Sequence, residues 1–172
     1  MITPPAERIT IRAAVPDDGP ALLRIHADVA RYYQERASDY FEPPAPEGLA
    51  GELAAQAAQP GESRARHLVA EAQGAVVGAL VARLVAPDEQ RDRETEADSA
   101  QLRLRIEYLA TAAAYRRRGI GTRLVKAAEE WGRTSGATVA ATTAFQGSPL
   151  SVPFWEDRMG YEELSINLRK RL

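Results

Sequence analysis

Residues 106–125 read Ile106-Glu107-Tyr108-Leu109-Ala110-Thr111-Ala112-Ala113-Ala114-Tyr115-Arg116-Arg117-Arg118-Gly119-Ile120-Gly121-Thr122-Arg123-Leu124-Val125. Ahead of them and into them, Leu102, Leu104 and Ile106 alternate with Arg103, Arg105 and Glu107. That is the two-residue period of a strand, continuing to about Ala110. Behind, Ile120, Leu124, Ala128 and Trp131 recur every three or four residues, the period of an amphipathic helix over 119–135, with Gly136 to close it. Glycines at a helix N-terminus leave backbone N–H groups unobstructed, and the helix dipole adds partial positive charge. The junction therefore has the makings of a phosphate or pyrophosphate site, with Arg116, Arg117 and Arg118 adding charge. It is not a P-loop, which needs a Gly-Lys pair absent here. Nor is it the dinucleotide fingerprint, whose third Gly is missing.

Working outward, Ile9, Ile11, Ala13 and Val15 alternate with polar residues as a strand does. Residues 16–20 break it and offer acidic caps for a helix that carries Leu22, Leu23, Ile25, His26 and Val29 towards Gln34. A Pro-rich stretch follows, then an Ala-rich helix over 47–59. The β-type runs 67–72 and 75–84 meet at Gln73-Gly74, a hairpin signal. Residues 88–99 are almost all charged or small and read as a mobile loop. After the helix come a short β run over 137–145, a short helix over 149–159 and a last strand opening at 166–168. The order β-α-α-β-β-β-α-β-α-β predicts one α+β domain over residues 1–172, with helices flanking a mixed, mostly antiparallel sheet.

Composition narrows the chemistry. The 172 residues include no Cys, which excludes disulfides, thiolate metal sites and a cysteine nucleophile. With His26 and His67 as the only histidines, a His-rich metal site is excluded too, and no metal is expected. A formal net charge of −2 gives no global attraction to nucleic acid or anionic lipid. No apolar run has the roughly 18 residues of a membrane span. A cytoplasmic protein with neither nucleic-acid nor membrane partners is expected. Ala dominates the apolar count and Arg the positive charge, a bias that fits a GC-rich genome better than a function.

The spacing Arg116-x-x-Gly119-x-Gly121, between an alternating strand and a Leu-Val helix, resembles the pyrophosphate loop of the GNAT superfamily of N-acetyltransferases, which bind acetyl-CoA. A second stretch, Phe154-Trp155-Glu156-Asp157-Arg158-Met159-Gly160-Tyr161, is similar to the aromatic segment near the C-terminus of that family. The resemblance implies that the strand splays from its neighbour, with Leu109, Ala110 and Thr111 along the pantetheine arm. It implies that Arg116, Arg117, Arg118, Gly119, Ile120, Gly121 and Thr122 wrap the pyrophosphate, mostly through main-chain N–H groups. Ser148 stands where many members have an Asn that touches the pantetheine, and Trp155 where many have a Tyr that protonates the leaving thiolate. Glu107 stands where many keep an acidic residue facing the acceptor amine. Tyr32, Tyr33, Tyr40 and Phe41 fall in the region that borders the acceptor. Arg117 replaces the usual Gly and Ala113 the usual Pro. Indole N–H is a donor but not a useful acid, so Trp155 supplies binding rather than acid catalysis.

The implied reaction is direct transfer of an acetyl group from acetyl-CoA to a primary amine. An alkyl ammonium with pKa near ~10.4 must lose a proton before it attacks, and Glu107 is the candidate base. The acceptor is a small-molecule or peptide amine, and a homodimer is compatible with the resemblance. Other readings of the same residues exist. Glu107 could pair with Arg105 or a cross-strand Arg, and Trp131 and Trp155 could be core. His26 and His67 read as packed histidines. At the level of function, the rivals are a non-catalytic acyl-CoA-binding module and, less favoured, a nucleic-acid-binding domain using the Arg turn.

Overall fold

A computed structural model describes residues 8–37, 64–87, 97–165 and 170. Its centre is a five-stranded sheet in sequence order: β1 (Ile9–Ala13), β2 (Ala65–Ala72), β3 (Ala75–Val85), β4 (Arg103–Thr111) and β5 (Val139–Thr142). The first three pairings are antiparallel, and β5 joins β4 in parallel. The β2–β3 hairpin closes through Gln73 (φ 52°) and Gly74 (φ 79°). Two successive positive φ angles match the right-handed twist of the flanking strands. Two helices cover the sheet, α1 (Gly19–Gln34) on one face and α2 (Ile120–Thr134) on the other.

The α2 face holds the larger core. Leu80, Leu104 and Ile106 from the sheet meet Ile120, Leu124, Val125 and Ala128 of α2, with Trp155 at the edge. The α1 face is thinner, with Ala14, Leu22, Val69 and Ala79 at its centre. Two glycines set the depth at which α2 sits. A Cβ on Gly78 of β3 would lie 2.8 Å from Ile120 Cγ2, and one on Gly132 of α2 would lie 3.0 Å from Leu104. Neither position has room for a side chain, so the helix rests close against the backbone of the sheet.

Four features differ from the expectation or extend it. Asp18 does not cap α1. Its carboxylate takes both Arg12 Nη atoms, at 2.7 and 2.9 Å, and the Val15 N–H at 2.8 Å. Arg12 adds Glu71 at 2.9 Å, and a bidentate guanidinium is the stronger partner. The β run expected over 137–145 is only Val139–Thr142, because β4 leaves β5 after Ile106. The helix expected over 149–159 contains a single wide turn, Phe154–Arg158, closed by the Met159 N–H on the Phe154 carbonyl at 3.1 Å. Ala97–Ala100, overlapping the end of the segment read as loop, form a 3-10 turn. The helix at 47–59, the strand at 166–168, residues 88–96 and the side chains Tyr40 and Phe41 lie outside the described residues. Among the described residues no helix is long and apolar enough to cross a membrane.

The Arg12 pair holds the buried Asp18 carboxyl below its ordinary range, against the opposing effect of burial. Asp18→Asn should cost about 1–2 kcal/mol at neutral pH. Because the folded pKa lies below the unfolded value of about 3.9, the carboxylate's contribution is complete above that value. It is lost as pH falls through the folded pKa. Chemical denaturation from about pH 6 to about pH 2 should therefore show the gap between wild type and variant closing in acid.

Candidate functional site

The β4–β5 ladder runs from Arg103↔Val139 to Ile106↔Thr142 and stops. At that point β4 bulges. Val81 of β3 faces Tyr108 and Ala82 faces Ile106, which leaves Glu107 as the extra residue. A bulge bends its strand and raises the local twist, which carries β4 away from β5. The Thr142 hydroxyl donates to the Ile106 carbonyl at 3.0 Å and closes the ladder. From Tyr108 to Thr111, β4 is paired to β3 on one side only. An open cleft of about 230 Å³ begins at the fork, lined by Arg105, Ile106, Glu107 and Thr143.

The bulge also resets which side chains share a face. Strict alternation would put Glu107 and Tyr108 on opposite faces. Instead Glu107 reaches Arg83 (Arg83 Nε to Glu107 Oε1, 3.3 Å), and Tyr108 stacks on His26 of α1 with ring centroids 4.1 Å apart. Both lie on the α1 face, while Ile106 and Leu109 stay with the α2 core. The Tyr108 hydroxyl is buried without a hydrogen-bond partner. Burial, and then the neighbouring Tyr33, push its ionisation upward. Sequence reasoning missed Tyr108 because period-two alternation hides it behind Glu107.

β4 ends at Thr111, and the chain continues into the loop before α2. The Ala112 N–H donates to the Val77 carbonyl at 2.9 Å, and a 3-10 turn spans Ala113–Tyr115. Arg116 is extended (φ −63°, ψ 156°), while Arg117 (φ 64°) and Gly119 (φ 77°) are left-handed. The residue standing in place of the usual Gly thus adopts the backbone a Gly would favour. The Arg123 N–H donates to the Gly119 carbonyl at 3.1 Å, so the amides of Ile120, Gly121 and Thr122 have no acceptor within the helix. A Cβ on Gly119 would meet nothing within 4 Å, whereas one on Gly121 would lie 3.3 Å from the Phe154 ring. Space is open on the loop side of the helix start and filled on the other.

Two of the three loop arginines fold back along the chain. Arg116 Nε donates to the Thr111 carbonyl at 3.3 Å. Arg118 lies 5.0 Å from the Tyr115 ring centroid and donates to the Ala114 carbonyl at 3.2 Å. Arg117 is exposed. Leu109 packs towards Gly121, and Ala110 is buried opposite Ala79.

The remaining residues divide between the cleft and the core. The Tyr32 hydroxyl and Ser148 Oγ lie 3.2 Å apart, which ties α1 to the segment after β5. Ser148 is 1% exposed and also accepts the Ser151 N–H. The Arg116 guanidinium lies 5.8 Å and that of Arg36 3.7 Å from the Tyr32 ring centroid, and Tyr33 meets Phe145 edge-on at 5.9 Å. Trp155 is buried between Phe154 and Tyr161, each 5.1 Å away between ring centroids.

A split strand pair thus runs, through one loop, into a helix start whose first amides have no acceptor within the helix. Residues 29–161 match the acetyltransferase (GNAT) family model, and the chain belongs to that family. Its fold is shared with a transcriptional regulator from Bacillus halodurans C-125, at 23% identity and TM-score 0.70 over 96% of this chain and 100% of that one. A Trypanosoma brucei acetyltransferase matches at 18% identity and TM-score 0.66, over 96% and 100%. An aminoglycoside acetyltransferase from an uncultured soil metagenomic sample, in complex with sisomicin, matches at 18% and 0.60, over 95% and 96%. A search of the curated proteins gives no match.

The left-handed Arg117 stores strain of about 1–2 kcal/mol. Arg117→Gly releases it but adds freedom to the unfolded chain, so the variant should be equal to wild type or up to about 1 kcal/mol more stable. Arg117→Val, β-branched at a positive φ, should lose about 1–2 kcal/mol. Urea denaturation of the three proteins should give the order Gly, wild type, Val.

Proposed function

We propose that the chain acts as one acyltransferase domain that moves an acetyl group from acetyl-CoA to a primary amine by direct attack. The observation that carries this reading is the placement of two features on one strand. β4 parts from β5 after Ile106, and five residues beyond the fork it ends in a loop that leads to a helix start with free amides. A thioester arm in the fork and a diphosphate at the loop would thus be served by one strand and its continuation. Family membership supports the reaction class.

The residues present fit that ligand. Ile120, Gly121 and Thr122 offer main-chain N–H groups, and Arg117 and Gly119 have the left-handed turns that curl the loop around them. Arg116 and Arg118, folded back on the Thr111 and Ala114 carbonyls, add positive charge beside the loop. Leu109, Ala110 and Thr111 form the one-sided stretch of β4, and we assign the polarising contact with the acyl oxygen to their main-chain donors. Acetyl-CoA supplies the activated acyl group.

Glu107 stands at the mouth of the fork on the acceptor side, and we assign it the base. Its ion pair with Arg83 is half-exposed and monodentate, which leaves the second carboxylate oxygen for a proton. In the transfer, an ammonium proton passes to Glu107, directly or through water. The amine nitrogen then bonds to the acyl carbon, the carbon–sulfur bond breaks, and the second proton shed by the nitrogen passes through water to the departing thiolate. Tyr32 and Tyr33 border the acceptor, while Ser148 and Trp155 act as supports: one ties Tyr32 in place, the other backs Phe154 and the wall behind Gly121.

Saturating acetyl-CoA should raise the melting temperature by mass action on the native state. Gly121→Asp should abolish the shift, since its Cβ would press to 3.3 Å from the Phe154 ring and its carboxylate would add negative charge to the helix start that is to hold the diphosphate. An unchanged melting temperature in the wild type defeats the central claim. Glu107→Gln should keep acetyl-CoA affinity and lower turnover about 100-fold or more at neutral pH, with the deficit shrinking as pH rises towards the amine pKa. A parallel pH–rate profile for the two proteins would instead give Glu107 back to its ion pair.

A further inference from the structure

The charge at the fork narrows the acceptor. Arg83 and Arg105 are directly opposite each other on β3 and β4. Like charges in that relation repel. Glu107 answers Arg83 at 3.3 Å. Among the described residues Arg105 meets no carboxylate: its polar contact there is to the Thr143 hydroxyl, at 3.4 Å, the long end of hydrogen-bond range. Arg103, two residues back on the same face, has its Nε buried with no partner, although buried donors are nearly always satisfied. Two arginines, Arg83 and Arg105, therefore share one carboxylate beside the cleft, and among the described residues Arg105 has no anion of its own.

We propose that the acceptor is an amine that also carries a carboxylate, and that Arg105 is the residue that selects it. The proposal rests on the fork being the site of transfer. Arg105 lines the same cleft as Glu107, and two residues along a strand are separated by about 7 Å. A molecule with its ammonium at Glu107 thus presents a nearby carboxylate to a planar, two-pronged donor that matches its geometry. Arg103 lies next along the strand and adds to the field. The same field works against an acceptor bearing several positive charges, such as an aminoglycoside.

The test is acetyl transfer, followed by thiol release, to matched sets: α-, β- and longer ω-amino acids, their amides, the corresponding decarboxylated amines, and an aminoglycoside. At least one acid should exceed its amide by about ten- to a hundredfold in kcat/KM, the worth of a charge-assisted hydrogen bond, with the difference in KM. Arg105→Gln should erase that preference by raising KM for the acid, and Arg105→Lys should restore part of it. A merely structural role would not move the acid-to-amide ratio. Amides, plain amines or the aminoglycoside serving as well as every acid overturns the proposal, and so does a preference that survives in Arg105→Gln. If no member is acetylated, the N-acetyl acids and N-acetyl amides are titrated against the protein–CoA complex; equal or absent binding of the acids overturns it equally. Failure to bind acetyl-CoA removes the acetyltransferase reading along with this one, whereas CoA binding without acid preference removes only this one.

Discussion

The close seat of α2 on the sheet is the constraint from which the site follows. Gly78 and Gly132 leave no side chain between helix and strands, so Ile120 and Leu104 lie almost against backbone. A helix held that deeply cannot slide or tilt without collision, because interiors are packed at crystal-like density. Its first turn is therefore held just past the end of β4. The chain from Thr111 to Ile120 has to turn sharply to reach it, and it does so with left-handed backbone at Arg117 and Gly119. The helix start that this turn leads into leaves the Ile120, Gly121 and Thr122 amides without an acceptor in the helix.

A single inserted residue governs the other half. With Glu107 extra in β4, the ladder to β5 ends and the fork opens. The same insertion brings Glu107 and Tyr108 to one face, beside Arg83 and beneath α1. One local irregularity thus opens the cleft and furnishes it, since a bulge both ends pairing and re-aims a side chain.

The arginine bias has structural uses that a lysine could not match. Arg12 grips Asp18 with two nitrogens and Glu71 with a third. Arg66 lies 5.3 Å from the Trp131 ring centroid, and Arg36 covers Tyr32. Planar, forked guanidinium groups bridge carboxylates and stack on rings, whereas an ammonium acts as a point charge. A composition that reads as genomic background has been put to local use.

Much of the frame was legible in the chain. Period-two alternation marked β1 and β4, Gln73-Gly74 marked the hairpin, and the 119–135 period marked α2, because each rests on near neighbours in sequence. The loop motif was legible for the same reason: its glycines and arginines are consecutive. What the chain could not show depends on which groups the folded chain brings together in space. Whether Asp18 caps a helix or holds Arg12 turns on which donor lies nearer in space. That Trp155 is walled in by Phe154 and Tyr161, and that Ser148 bonds Tyr32, was decided by how the segment after β5 folds back. The bulge at Glu107 has no local signature, since it exists only as a register between two strands. It set the face of Glu107 and Tyr108 and the length of β5, so the loop motif was written in the sequence, while the fork beside it was made by strand pairing.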